Sequence, residues 1–258
     1  MLLLAVIISG CGASTYEERL KESKDYFAFI QRYNDQLEKP WKDGVSGIEL
    51  RVPKKLKPIP AVTTPAAEGE EAPKDPRQPD YVELELPGLV GAWSVPVGTM
   101  VDGSPTAVNS YLYVLCNAVL LKSPNPPFPA NEFHDEVVER LSNALGVPVP
   151  KPDVWIDESF PRTATYVKPK PFHSLLLTPT EPVNGVPTEF KLYEYQSGDM
   201  RVSILAVMPQ GATAKDNFLP ILPLSLETLS VPPQPPATAV PATPGAGPSG
   251  AAKKSGGF

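Results

Sequence analysis

Two histidines, two cysteines and 29 acids carry most of the reactive chemistry available to this 258-residue chain. The densest grouping lies in PDVWIDESF, where Asp153, Asp157 and Glu158 surround Trp155. Cleavage of a glycosidic bond needs two carboxyl groups held about 5–10 Å apart across a sugar cleft. An aromatic ring beside them would serve as a platform. The segment has both residue types, which makes it the candidate site and a hydrolase one reading of the chain. The plainer reading, a tryptophan that closes a sheet edge with solvated acids beside it, fits the spacing better. Trp93 and Trp41 are second choices.

Other constellations fail on spacing. His134 stands beside Asp135 and Glu136, but neighbours on a helix point in different directions and form no ligand set. A solvated surface histidine is expected there. His173 precedes Ser174, and adjacent residues of a strand face opposite sides, so they do not act together as base and nucleophile. No HExxH, paired CxxC, GxSxG or GxxxxGK[ST] occurs. Cys116 lies within SYLYVLCNAVLL and reads as a buried thiol, not a nucleophile. Residues 245–250 spell GxGxxG, but no strand precedes them and no helix follows, so a dinucleotide reading fails on context. The sequence thus predicts no catalytic, cofactor-binding or metal-binding residue.

Chemistry of another kind is written in residues 2–11, LLLAVIISGC. Ile8-Ser9-Gly10-Cys11 resembles a bacterial lipobox. The resemblance implies a diacylglyceryl group on the Cys11 sulfur, signal cleavage between Gly10 and Cys11, and palmitate in the mature protein. A bilayer-spanning helix needs about 20 apolar residues, roughly twice this run. A short apolar run ending in small residues before Cys fits a signal h-region instead. No Lys or Arg lies between Met1 and Ser9, so the basic n-region is missing, and a start codon upstream of Met1 is expected to supply it. With Cys11 acylated, Cys116 has no partner for an intramolecular disulfide. Gly12 is not the aspartate that retains some lipoproteins at the inner membrane, which favours an outer-membrane location facing the periplasm.

The net charge of −6 argues against a nucleic-acid partner, which would call for a basic face. Thirty-four prolines, about two and a half times the usual share, keep much of the chain out of regular structure. A first helix is expected to open at Ser14 and Thr15, each with a glutamate three residues on, and to stop at Pro40. Its seam is Tyr16, Leu20, Ser23, Phe27, Ile30, Asn34 and Leu37. That pattern fits a stalk or a self-associating coiled coil, but packing against the protein's own domain is the stronger expectation.

Further along, GIELRVP (47–53) and YVELELP (81–87) alternate as strands, and 110–121 is apolar on both faces as a central strand would be. A second helix, capped by Asn131, spans 132–145 with Phe133, Val137, Leu141 and Leu145 on one face. Strands follow at 165–168 with 173–178, then 188–195 and 200–208, with Asn184-Gly185 as a hairpin signal. Phe190 and Leu192 are expected to share one buried face with Val202, Ile204, Ala206 and Met208. A short helix at 219–229 closes the domain.

The expected class is α+β: a mainly antiparallel sheet flanked by helices, with a long N-terminal helix and a disordered Pro-rich linker and tail. The divisions are a signal peptide (1–10), anchor cysteine and helix (11–43), a strand segment joining the core (44–60), a linker (61–80), the globular domain (81–231) and a tail (232–258). The element order over 81–231, closing on LPLSLETLSV, resembles the α-β-α sandwich of PsbP-like proteins. That resemblance implies a small, non-enzymatic extrinsic protein, some relatives being lipid-anchored. The expected function is a lipid-anchored cell-envelope module that binds or scaffolds a protein partner. A carrier of a small envelope ligand would need a closed apolar cavity between sheet and helix. A hydrolase would need a pocket lined by carboxylates of raised pKa.

Overall fold

A computed structural model describes residues 13–62, 74–101, 103–213 and 215–237. It opens with α1 (Ala13–Gln36), followed by the short pair β1 (Trp41–Lys42) and β2 (Glu49–Leu50) and by β3 (Lys57–Pro58). The hairpin β4 (Leu89–Val101) and β5 (Ser104–Cys116) comes next, then α2 (Ala118–Lys122) and α3 (Phe133–Ala144). Four strands follow: β6 (Ile156–Phe160), β7 (Lys170–Leu177), β8 (Thr188–Ser197) and β9 (Met200–Pro209). The last helix is α4 (Leu222–Glu227).

Seven strands form one antiparallel sheet in the order β3-β4-β5-β9-β8-β7-β6, so the fold is α+β as its patterning requires. Strands β5 and β9 sit at the centre, and their side chains alternate between two cores. Leu112, Val114 and Cys116 join Val202, Ile204, Ala206 and Met208 on one face. There they meet Ile48, Leu50, Val52 and Leu56 from the segment after α1, and Leu222 and Leu226 of α4. Tyr113, Leu115, Leu205 and Val207 point the other way, with Phe190 and Leu192, onto Phe133, Val137 and Leu141 of α3. Each fully buried side chain of this size contributes roughly 1.5–3 kcal/mol, which is why a sheet apolar on both faces needs a layer over each.

The expected face assignment of the meander is therefore corrected. Phe190 pairs with Val207 and Leu192 with Leu205, opposite the face that holds Val202, Ile204, Ala206 and Met208. Because β9 is apolar at nearly every position, its hydrophobic pattern does not fix which alternate set faces which core.

Other expectations shift in detail. YVELELP does not pair as a strand; it bends, with only Leu86 buried. The central strand stops at Cys116, because Asn117 turns the chain into α2 while its side-chain amide donates to the carbonyls of Ala130 and Asp199. Asn131 does not cap the second helix: it lies inside a 3-10 turn, Ala130–Glu132, that leads into α3. Residues 165–168 form a loop, and the strand falls instead on Ile156–Phe160. Helix α1 ends at Gln36, ahead of Pro40, where Leu37 bridges to Pro53. Of the expected linker, residues 63–73 lie outside the described residues. Its last part is held down: the Gln78 side chain donates to the Leu86 carbonyl and accepts from its N–H, while Arg77 donates to the Val90 carbonyl.

Candidate functional site

The nominated segment spreads its acids instead of gathering them. Asp153 lies exposed in a 3-10 turn, Pro152–Val154, and Trp155 is half-buried against the α3-side core. Asp157 and Glu158 are consecutive in β6, so the pleat sends them to opposite faces. Asp157 pairs with His173 across the strands, Nδ1 to Oδ1 at 2.6 Å, both side chains largely in water. Glu158 lies on the other face, 3.6 Å from Lys191 Nζ, which in turn sits 4.9 Å from the Tyr193 ring centroid. The two acids do not converge on one cleft. Trp41 and Trp93 meet edge-to-face with ring centroids 5.0 Å apart, and Trp93 is part of the core. The start of the chain, with Gly10 and Cys11, lies outside the described residues.

Cys116 is buried to 1 % exposure, and burial pushes its thiol up to about 11, so at neutral pH it is protonated and inert. The histidines tell a less expected story. His134 is not a solvated surface residue: its side chain is only 13 % exposed, and Nδ1 lies 3.5 Å from Oε2 of Glu194, itself 10 % exposed. Glu194 also pairs in register with His173. The structure thus sets Asp157, His173, Glu194 and His134 in a row running from the β6 edge to the first turn of α3.

Burial dominates the inner pair. It pushes the His134 imidazole down to about 4, with Arg201 and His173 adding to the effect. It pushes the Glu194 carboxyl up to about 8, with Asp135 raising it further and Arg201 pulling it back. At neutral pH both groups are therefore neutral, and His134 Nε2 and Glu194 Oε1 have no protein hydrogen-bond partner among the described residues. Their sequence separation hides the pair, but two signals point to it. His134 falls four and seven residues before Val138 and Leu141, on the flank of the apolar stripe. Glu194 shares strand parity with Phe190 and Leu192.

A cleft of about 450 Å³ opens between α1, the loop after β6 and α4, lined by Phe29, Arg32, Arg162, Tyr166 and Glu227. Its one carboxylate is committed: Glu227 accepts from the Tyr33 hydroxyl and, at 3.2 Å, from Arg32. Among the described residues no group of three or more His, Cys, Asp or Glu is arranged to hold a metal ion.

A run of exposed apolar side chains lies on α1. Packing of that helix against its own domain is confined to its C-terminal part, where Tyr26 meets the Tyr166 ring and Phe29, Tyr33 and, just past its end, Leu37 meet Ile221 and Leu224. Residues 15–28 are all exposed, including Tyr16 at 68 %, Leu20 at 49 % and Phe27 at 69 %. The reason is rotational. At 3.6 residues per turn the stripe of Tyr16, Leu20 and Phe27 lies about two fifths of a turn from the face carrying Phe29 and Tyr33. No described helix is long and apolar enough to cross a membrane.

Compared with known proteins, the chain matches no family model and no curated protein.

Proposed function

We propose that this chain is a lipid-anchored cell-envelope protein whose domain is a non-catalytic binding or scaffold module. The observation that carries the reading is the apolar stripe on the projecting half of α1, which has no cover within its own domain among the described residues. Exposed apolar surface grouped in this way marks an interaction site. The lipobox-like Ile8-Ser9-Gly10-Cys11, two residues ahead of α1, supports placing that stripe next to a membrane surface. The element order that resembles PsbP-like extrinsic proteins points the same way. The open cleft beside Arg32 and the divergent acids of β6 offer no comparable support for a carrier or a hydrolase.

Two or more acyl chains anchor stably where one binds only marginally. Cys11→Ala is expected to release the protein from membranes or to leave its precursor uncleaved. Metabolic labelling with palmitate reads this directly, and a mature protein with no label at Cys11 refutes the anchor.

A further inference from the structure

We propose that the projecting half of α1 pairs antiparallel with the same segment of a second copy of this chain, an inference that rests on the binding role proposed above and names the partner. Four residues of the expected seam define the contact: Tyr16, Leu20, Ser23 and Phe27, spaced four, three and four apart. In an antiparallel register Phe27 packs opposite Tyr16 of the second copy and Leu20 opposite its Ser23. The small serine makes room for the leucine in the middle of the pair.

The flanking charges select this orientation. Glu17 and Lys24 border the seam on one side, and Arg19 and Tyr26 border it on the other. Antiparallel pairing brings each Glu17 against Lys24 of the second copy, and each Arg19 against the Tyr26 ring, a cation–π contact. Parallel pairing would instead put Arg19 against Lys24, like against like. The lengths agree as well. Residue 28 falls opposite residue 15, so the overlap spans the stretch that the domain leaves exposed. Tyr26, half-turned toward Tyr166 at 5.5 Å between ring centroids, keeps its outer edge available. The alternative occupant, a membrane surface, is less favoured by charge. Between residues 15 and 28 the acids Glu17, Glu18, Glu22 and Asp25 outnumber the bases Arg19, Lys21 and Lys24, which repels anionic lipid.

Sedimentation equilibrium of the acylated full chain in detergent tests the proposal. A reversible dimer is expected, with Glu17→Lys or Lys24→Glu alone weakening it roughly tenfold, since each turns two attractive pairs repulsive. The double variant E17K/K24E is expected to restore it. A chain that stays monomeric, or a Lys24→Glu change that tightens the dimer as parallel pairing requires, overturns the proposal. A photoreactive p-benzoylphenylalanine in place of Phe27, irradiated in cells, separates the two levels of inference. A cross-link to a second copy supports self-pairing. One to a different protein overturns self-pairing and leaves the binding role standing, and one to lipid, or none at all, overturns both.

Discussion

Nδ1 of His134 sits 3.5 Å from Oε2 of Glu194, joining the first turn of α3 to the middle of the sheet through two groups that burial keeps uncharged. In the unfolded chain a glutamate titrates at 4.5 and a histidine at 6.5. The folded protein therefore holds an extra proton on Glu194 between pH 4.5 and about 8. That contribution to stability is full below 4.5 and is lost as the pH rises through the interval. His134 acts in the opposite sense: its contribution is full above 6.5 and is lost as the pH falls toward about 4. The two slopes oppose each other up to pH 6.5, and a net loss remains from there to about 8. Glu194→Gln is expected to abolish that loss, so its gain in Tm over the parent should grow from pH 6.5 to 8 in thermal melts. A parent whose Tm is level across that range would show that Glu194 ionises normally.

Cys116 gives a chemical readout of folding. Its thiol is buried and held protonated, with a pKa pushed up to about 11. Thiol-specific reagents are expected to leave it untouched at about neutral pH in native protein and to label it promptly in urea. Labelling that follows the unfolding transition checks this, and rapid labelling of the native chain contradicts it.

Phe190 is fully buried where β8 meets the α3-side core. Phe190→Ala removes a ring that nothing nearby is placed to replace, at an expected loss of about 3–5 kcal/mol in urea denaturation. Leu176, 54 % exposed on the neighbouring strand, serves as the control. Leu176→Ala should fall within about 0.5 kcal/mol of the parent.

Gly88 is fixed by two constraints together. Its φ is +61°, and a Cβ there would stand 2.1 Å from the Cys116 carbonyl oxygen. The same carbonyl group belongs to the residue whose N–H bonds back to the Gly88 oxygen at 2.8 Å, so neither backbone can retreat without opening the β4–β5 hairpin. Gly88→Ala is expected to lower soluble yield or to destabilise the domain by more than about 2 kcal/mol. Gly103, in the hairpin turn with no heavy atom near its Cβ position, should tolerate alanine better despite its own positive φ.

The class of the fold and the elements α1, α3, β8 and β9 were legible because their patterns are strong. The stripe of Phe133, Val137, Leu141 and Leu145 announces α3, and Asn184-Gly185, with φ of 50° and 78°, makes the turn its residue types demand. Register was not legible. A strand apolar on both faces, such as β9, offers no parity to read, so its alternate residues cannot be assigned to a core by pattern alone. Strand β6 is hidden for the opposite reason: IDESF is polar and sits at the sheet edge, where one side of the ladder meets water. The His134–Glu194 pair joins elements about 60 residues apart, and only tertiary folding brings such groups together. On α1 the periodicity shows a seam but not what covers it, and the expected cover by the domain reaches only the last turns. Spacing along a helix gives the stripe, but the angle at which Tyr33 and Leu37 lock that helix down decides where the stripe points.

The β4–β5 hairpin outgrows its sheet. Strand β5 pairs with β9 only from Tyr111 to Cys116, whereas residues 104–107 bond to β4 alone among the described residues. That outer ribbon is tied to the rest of the domain only at its inner end, where the Gly98 carbonyl accepts from the Thr213 N–H and the Thr99 hydroxyl donates to the Gln210 carbonyl, and two strands by themselves are marginally stable. Its amide protons should therefore trade with solvent deuterium long before those of residues 112–116 do. The sheet has a soft corner that can fray and re-zip without disturbing either core.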